Sequence, residues 1–236
     1  MQALILAGGF GSRLMPVVND RPKIMADIDG KPFLELLIRY LQKQNVNEIV
    51  LALGYLSEYI KNYFQDGKQY GVNIKYSVES FPLGTGGAII NAEKLLKKEF
   101  IVLNGDTFLD VDFNKISEFH KHNKADITVM VTKKGEKTGR GLVGIDDHFR
   151  MISFQDGQEV AKNNKSYTNA GIYLMNKKLC SFIKKDEKIS LEKEIFPSIV
   201  SKIKMFALIS ENEYIDIGTP ERYHKAQTLL KPLLYG

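Results

Sequence analysis

The sequence predicts an α/β protein with a mostly parallel sheet and helices on both faces. Three observations predict it. Short apolar stretches alternate with helix-periodic ones through the first half, the pattern of strand–helix–strand units. The second half is richer in strand-like runs. No Pro/Ser-rich linker or internal repeat separates the halves. All 236 residues are therefore expected in a single domain, with a core over 1–110 and a smaller lobe plus C-terminal helices over 111–236.

Residues 3–7 read as the first buried strand. Residues 32–44 read as a helix, because Phe33, Leu36, Leu37, Tyr40 and Leu41 fall on one face. Glu48–Leu53 is a second strand, and Ser57 is expected to cap a helix over 58–64. Asn73–Val78 is a third strand, 86–98 a helix and 100–103 a fourth strand. Such alternation buries a parallel sheet on both faces. In the second half, residues 126–131, 142–145, 151–154 and 170–175 read as strands. Leu191, Ile195, Ile199 and Val200 suggest a helix, although Ser190 opens S-x-x-K rather than a capping box. Thr219-Pro220-Glu221 opens the last helix. Thr caps it, Pro takes the first helical position, and Glu favours the positive end.

Composition narrows the function classes. The chain is 44% apolar and 26% charged, ordinary values for a globular protein with its own core. Cys180 is the only cysteine, so an intrachain disulfide or a cysteine-based zinc site is ruled out. The longest apolar run, 49–56, is far short of a membrane span and includes Gly54. The apolar start lacks a basic leader, so a cytoplasmic protein is expected. The net charge of +5 comes from lysines spread along the chain. That reads as a solvated surface rather than a nucleic-acid tract.

The chemistry begins at the end of the first strand. Leu4-Ile5-Leu6-Ala7 runs into Gly8-Gly9-Phe10-Gly11-Ser12-Arg13-Leu14, and Arg21-Pro22-Lys23 follows. Gly8, Gly9 and Gly11 let backbone N–H groups approach an anion with no Cβ in the way. Arg13 offers a planar fork for phosphate oxygens and Lys23 a compact charge. A turn after a parallel strand lies at the carboxyl edge, where such sheets bind ligands. The P-loop pattern is absent, and a dinucleotide fingerprint starting at Gly9 meets Leu14 in place of its third glycine. By itself the loop is also compatible with a tight strand–helix turn that carries incidental basic residues.

A second glycine cluster, Leu83-Gly84-Thr85-Gly86-Gly87-Ala88, follows the third strand. A flat base could lie against such backbone, or the glycines could serve close packing of a helix start. Asp106 ends the fourth strand at the same sheet edge, and Asp216 lies in Ile215-Asp216-Ile217-Gly218-Thr219-Pro220. Mg²⁺ uses one or two carboxylates plus substrate phosphates, and Asp216 is the natural companion of Asp106. Either aspartate alone would suit a cap or turn, and Asp110 and Asp112 read as turn residues. The four histidines, His120, His122, His148 and His224, show no metal spacing and read as surface residues.

These dispersed motifs, taken in order from Leu4 to about Tyr223, resemble the sugar-1-phosphate nucleotidyltransferases. The resemblance implies a nucleotide-diphospho-sugar transferase fold, Rossmann-like, with a small sugar-binding lobe. It also implies transfer of a nucleotidyl group from an NTP to a sugar 1-phosphate, with Mg²⁺ as cofactor. Arg13, Lys23 and Asp106 are then the catalytic set, and Asp106 and Asp216 the metal ligands. Arg13 would grip the leaving phosphates and Lys23 the α-phosphate region. Leu6, Ala7, Gly8, Gly9, Gly11, Ser12, Glu79, Gly84, Thr85 and Gly105 would hold the nucleotide. Glu79 could accept from N1–H and N2–H of guanine, which suits GTP. Gly141, Asp156 and Asn169 would contact the sugar phosphate.

This chain departs from the family pattern in three places. Ser12 stands where Thr is usual, and Ile24 where a second Pro is usual. The family's F-x-E-K becomes Phe154-Gln155-Asp156-Gly157, so the sugar-phosphate lysine is missing. Lys162 or Lys165 is expected to reach in instead. The compact length, the Asn104-Gly105-Asp106-Thr107-Phe108 run and the Leu-Gly-Thr-Gly-Gly-Ala segment resemble most the short bacterial enzymes that use GTP and D-glycero-α-D-manno-heptose 1-phosphate. Mannose 1-phosphate guanylyl transfer and other sugar-phosphate uridylyl or cytidylyl transfers are the alternatives in the class. Outside it stand a non-catalytic nucleotide-sensing subunit and a nicotinamide-dependent oxidoreductase. The intact Arg13, Lys23, Asp106 and Asp216 argue against the first, and Leu14 against the second. The expected partners are the two small substrates, with neither nucleic acid nor membrane, and a homodimer is open to such a chain.

Overall fold

Strand β1 (Gln2–Ala7) leads through the glycine loop to a short hairpin, β2 (Asp27–Ile28) and β3 (Lys31–Pro32), and then to helix α1 (Phe33–Lys43). β4 (Glu48–Leu53), α2 (Ser57–Phe64), β5 (Asn73–Val78), α3 (Gly84–Ala92) and β6 (Glu99–Asn104) complete the first half. β7 (Thr107–Leu109), α4 (Phe113–His122), β8 (Ile127–Thr132), β9 (Gly141–Ile145), β10 (Met151–Asp156) and β11 (Ser166–Asn176) follow. A π-helical turn at Leu191–Ile195 runs into α5 (Phe196–Ile199), and β12 (Met205–Ser210), β13 (Tyr214–Asp216) and α6 (Pro220–Tyr235) end the chain. This computed structural model describes residues 1–11, 13–14, 17–133, 141–156 and 166–235, with backbone alone at Asp156 and 232–235.

One sheet runs through both halves, in the order β10-β9-β11-β6-β1-β4-β5, with β8 paired to β11 and β12 paired to β8. β1, β4, β5 and β6 are mutually parallel neighbours. β11 joins β6 and β8 antiparallel, and β9 and β10 form an antiparallel hairpin. The mixed sheet follows from this. Parallel strands come from strand–helix–strand units, and the second half inserts hairpins.

The two faces can be read along single strands. Ala3, Ile5 and Ala7 of β1 pack with Leu34, Ile38 and Leu41 of α1 and with Ile60 and Phe64 of α2. Leu4, between them, packs on the opposite side with Ala88, Ile89 and Ala92 of α3 and Phe196 of α5. Period-two alternation explains the split, and burial of each such aliphatic side chain contributes about 1.5–3 kcal/mol. Because β4 and β6 flank β1 on opposite sides, the strand order reverses there. A crevice opens at the carboxyl ends of β1 and β6, as topological switch points provide.

Three expectations need correction. The helix expected over 86–98 starts earlier, at Gly84, and stops at Ala92; a single 3₁₀ turn, Glu93–Leu95, precedes β6. Ser57 does not cap α2. It is the first helical residue, and Leu56 sits at the cap in a left-handed conformation with φ 53°. Helix α4 and strands β7, β12 and β13 add to the elements read from the sequence. Asp112, expected in a turn, caps α4 by accepting from the N–H groups of Asn114 and Lys115.

His120 is the third correction. It is buried rather than exposed, because α4 turns it inward onto β8. Its Nδ1 lies 2.9 Å from Thr128 Oγ1, while Nε2 is buried without a hydrogen-bond partner. Burial lowers its pKa; the charges of Glu99 and Asp126 oppose the shift and that of Lys121 adds to it. A histidine whose folded pKa is depressed binds its proton first in the unfolded chain. Stability therefore falls as pH drops through the ordinary histidine range near 6.5 toward the lower folded value. The loss of Tm between pH 7.5 and pH 5.5 is expected to be larger in the native chain than in His120→Gln. Thermal unfolding of both proteins at the two pH values checks it, and equal losses would remove His120 as the cause.

Candidate active site

The loop after β1, the loops before α3 and after β6, and the short ribbon of β7 and β13 enclose a cavity of about 480 Å³. Leu6, Ala7, Gly8 and Gly9 form one wall, with Arg13 and Lys23 beside them. Glu79, Gly84 and Thr85 form the next wall, and Asp106 and Asp216 a third. Gly141 and Asn169 close the far side. Residues scattered over most of the chain are thus brought together by one sheet edge.

The ribbon explains how the two aspartates meet. β13 pairs antiparallel with β7, with Asp216 opposite Thr107. The Ile217 N–H then donates to the Asp106 carbonyl oxygen at 3.0 Å. Asp216 Oδ1 accepts from the Gly218 N–H at 2.8 Å, and Arg222 lies 3.4 Å from Oδ2. Lys23 Nζ donates to Asp106 Oδ2 in a partly buried ion pair. The Arg13 guanidinium reaches the same turn: a Cβ placed on Gly218 would lie 3.7 Å from Arg13 Nη2 and 2.9 Å from Asp216 Oδ1. Among the described residues no set of three or more His, Cys, Asp or Glu could hold a metal ion. Two hard-oxygen donors do fit Mg²⁺, which fills its remaining positions with phosphate oxygens and water.

Glu79 is half-buried, and its Oε2 accepts the Leu83 N–H at 3.0 Å. Loss of solvent raises its pKa, and that hydrogen bond opposes the shift. Its carboxylate abuts Gly8, where a Cβ would come within 3.2 Å of Oε1. Two loops thereby approach closely enough to form one wall.

The glycines of the second cluster serve close packing as well as the cavity wall. A Cβ on Gly84 would lie 2.6 Å from the Ile189 carbonyl oxygen, and one on Gly87 would lie 2.9 Å from that of Glu187. The Gly86 N–H donates to Ile189 O at 2.9 Å. Backbone of residues 187–193 straps across the start of α3, and the glycines make room for it. Gly105 is likewise a packing residue. Its N–H donates to Leu6 O at 2.8 Å, and a Cβ would lie 2.7 Å from that oxygen. Gly11, at φ 67°, backs onto Lys23. Neither Gly11 nor Gly105 lines the cavity. Asp156 ends β10 opposite Gly141. Ser12, Gly157, Lys162 and Lys165 lie outside the described residues.

The structure adds groups that sequence reasoning missed. Lys188, Ser190, Glu192 and Lys193 line the cavity from the strap, and Asn104, Tyr214 and Arg222 from the sheet edge and α6. The strap shows in the sequence only as the apolar periodicity of Leu191, Ile195, Ile199 and Val200 after Ser190. Asn104 Oδ1 is buried with no hydrogen-bond partner, an acceptor facing a site that offers ligand hydroxyls or amides a place.

The geometry agrees with the comparisons. The model of the nucleotidyl transferase family matches residues 2–231. The chain belongs to the nucleotidyl transferase family. A D-glycero-alpha-D-manno-heptose 1-phosphate guanylyltransferase of Campylobacter jejuni is 42% identical over 224 residues, covering 95% of this chain and 97% of that one. The enzyme of the same description from Aneurinibacillus thermoaerophilus is 39% identical over 98% of this chain and 99% of its own. Among solved structures, HddC from Yersinia pseudotuberculosis complexed with GMP-PN superposes with TM-score 0.83 at 34% identity, covering 96% and 98% of the two chains. In this nucleotidyl transferase the described residues contain no helix long and apolar enough to cross a membrane.

Proposed function

We propose that this chain joins GTP to D-glycero-α-D-manno-heptose 1-phosphate, giving the GDP-sugar and pyrophosphate. A phosphate oxygen of the acceptor attacks the α-phosphorus. The new P–O bond forms as the α–β bridge breaks, and pyrophosphate leaves with the electron pair. The observation that carries the reading is the β7–β13 ribbon, which sets Asp106 and Asp216 beside the glycine loop, Arg13 and Lys23 in one cavity. Two polyanions can meet only where charge is neutralised and oxygens are aligned. No protein nucleophile is needed. Asp106 and Asp216 would hold Mg²⁺, which when bound supplies electrostatic stabilisation of the phosphate oxygens. Lys23, bonded to Asp106, is placed to turn from that carboxylate to an α-phosphate oxygen. Arg13 steadies the leaving group, and Glu79 accepts from the guanine edge.

The acceptor phosphate needs a cation to replace the one absent at Gly157. Lys188 and Lys193 of the strap line the cavity and suit that task. A charge-assisted hydrogen bond contributes about 1.5–3 kcal/mol. Lys193→Ala or Lys188→Ala is therefore expected to raise the acceptor KM about tenfold or more, with the GTP KM little changed. Steady-state kinetics varying each substrate separately checks this; unchanged acceptor KM in both variants would remove the strap lysines from the phosphate site.

The reading is tested by pyrophosphate release, with each NTP against heptose, mannose and glucose 1-phosphates and Mg²⁺. GTP with the heptose phosphate is expected to turn over fastest. Turnover of UTP with glucose 1-phosphate but none with GTP would overturn it, as would no turnover with any pair.

A further inference from the structure

One carboxylate outside the expected site connects its two halves. Glu192 Oε2 accepts from Thr85 Oγ1 at 2.6 Å and from Ser190 Oγ at 3.0 Å. Its Oε1 accepts from the Tyr173 hydroxyl at 3.1 Å. That hydroxyl accepts in turn from Asn169 Nδ2 at 2.7 Å, and Asn169 Oδ1 accepts from the Gly171 N–H at 3.1 Å. Thr85 belongs to the first turn of α3 on the nucleotide side and Asn169 to the sugar-side strand β11, so Glu192 bridges them.

The bridge is built rather than incidental. Four residues of regular strand span about 13 Å, too far for Asn169 to reach Tyr173. The strand is broken between them: Gly171 takes φ 68°, and the register of β11 against β8 shifts there. Tyr173 is fully buried, with its ring edge-on to Phe196 at 5.2 Å. A phenol there must be hydrogen-bonded or destabilise the fold, and both its neighbours belong to this chain of contacts. The Leu191 N–H donates to Thr85 Oγ1 at 2.8 Å, which fixes the threonine as well. Every rotor between the two half-sites is thus held by a partner.

We infer that Glu192 is a positioning residue that couples the nucleotide site to the acceptor site. A nucleotide that orders the Thr85 turn sets Glu192, then Tyr173, then the amide of Asn169. By linkage the acceptor tightens the nucleotide by the same factor. The inference rests on the proposed nucleotidyl transfer.

The test separates the two. Turnover is measured first, to choose whichever of heptose 1-phosphate and mannose 1-phosphate the native chain accepts; no turnover of either sinks the function rather than the bridge. The Kd of guanosine 5′-(α,β-methylene)triphosphate, whose α–β bridge resists cleavage, is then measured calorimetrically with and without saturating acceptor. In the native chain the acceptor is expected to tighten the analogue about fivefold or more, within the usual range for coupled sites. In Tyr173→Phe and in Glu192→Gln that factor is expected to fall to about one, with the analogue's Kd alone changed about threefold at most. Phe keeps the ring packing and Gln keeps the side-chain shape, so two independent variants probe the bridge if one folds poorly. A purely structural role would weaken both ligands while leaving the coupling factor intact. An intact factor in either folded variant, or no coupling in the native chain, overturns the inference.

Discussion

Asp106→Asn is expected to lower kcat about a thousandfold, the scale of losing a main electrostatic contributor to a charged transition state. Asn keeps the size of the side chain, so the cavity keeps its shape. The Asp106 main-chain carbonyl still accepts from Ile217, so the ribbon that carries Asp216 stays in register. What disappears is the negative charge that balances Lys23 and gives a cation its donor. The fold should barely notice. The side chains of Lys23 and Asp106 are 14% and 29% exposed, so this partly buried pair is still partly screened by solvent and its loss costs about 1 kcal/mol. Tm should therefore shift by only about 2–4 °C. Kinetics and thermal unfolding on the same preparation check both halves. Near-normal turnover would remove Asp106 from the chemistry, and a collapsed Tm would make the loss of activity structural.

Asp216→Asn should share the loss of turnover but cost more stability. Asp216 is only 6% exposed, and its two oxygens serve the Gly218 N–H and Arg222. Removing the charge from a contact this buried costs more than removing it from a partly exposed pair. The two aspartates therefore separate a role in chemistry from a role in the fold. Equal activity losses with unequal Tm losses is the pattern expected if they form a metal pair set in unequal surroundings.

The parallel half of the sheet was legible because local signals there agree. β1, β4 and β6 are largely apolar runs bounded by loops, and their packing partners sit on helices with clear periodicity. The loop glycines, Arg13, Lys23 and Asp106 were legible because the fold puts carboxyl ends of parallel strands at one edge, and Asp216 through its Asp-Ile-Gly-Thr-Pro motif. β7 and β13 were not legible: three-residue strands carry no period, and their central pair, Phe108 with Ile215, is 107 residues apart in sequence. His120 misled because α4 is polar on most of its surface, and only the packing against β8 turns that one imidazole inward. Glu192 was hidden because a side chain bridging three elements has no local signature. The glycine cluster was legible as either a base platform or a close-packed helix start, and the strap that fills part of its side-chain-free surface was not.

Gly84→Ala follows from that last point and has the largest expected effect on the fold near the site. Gly84 has φ 72°, in the left-handed region, where an L side chain costs about 1–2 kcal/mol. An added Cβ would also lie 2.6 Å from the Ile189 carbonyl oxygen. That oxygen is backbone, and it already accepts the Gly86 N–H, so it cannot step aside as a flexible side chain would. The strap must lift or the start of α3 must shift. Either movement opens the wall that carries Thr85 and Glu192. The combined cost is expected to be about 2–4 kcal/mol, lowering Tm by roughly 5–12 °C for a chain of this size. Because Thr85 moves with the start of α3, GTP affinity should fall about tenfold or more, which exceeds what the fold cost alone would do to ligand binding by a still-folded protein. Gly9→Ala is the control: a Cβ there meets nothing within 4 Å, so its Tm should stay near native. Thermal unfolding with calorimetric GTP titration, both below the variant's Tm, measures the two effects. A native Tm in Gly84→Ala would show that the strap yields freely, and the close-packing account of the glycine cluster would fail with it.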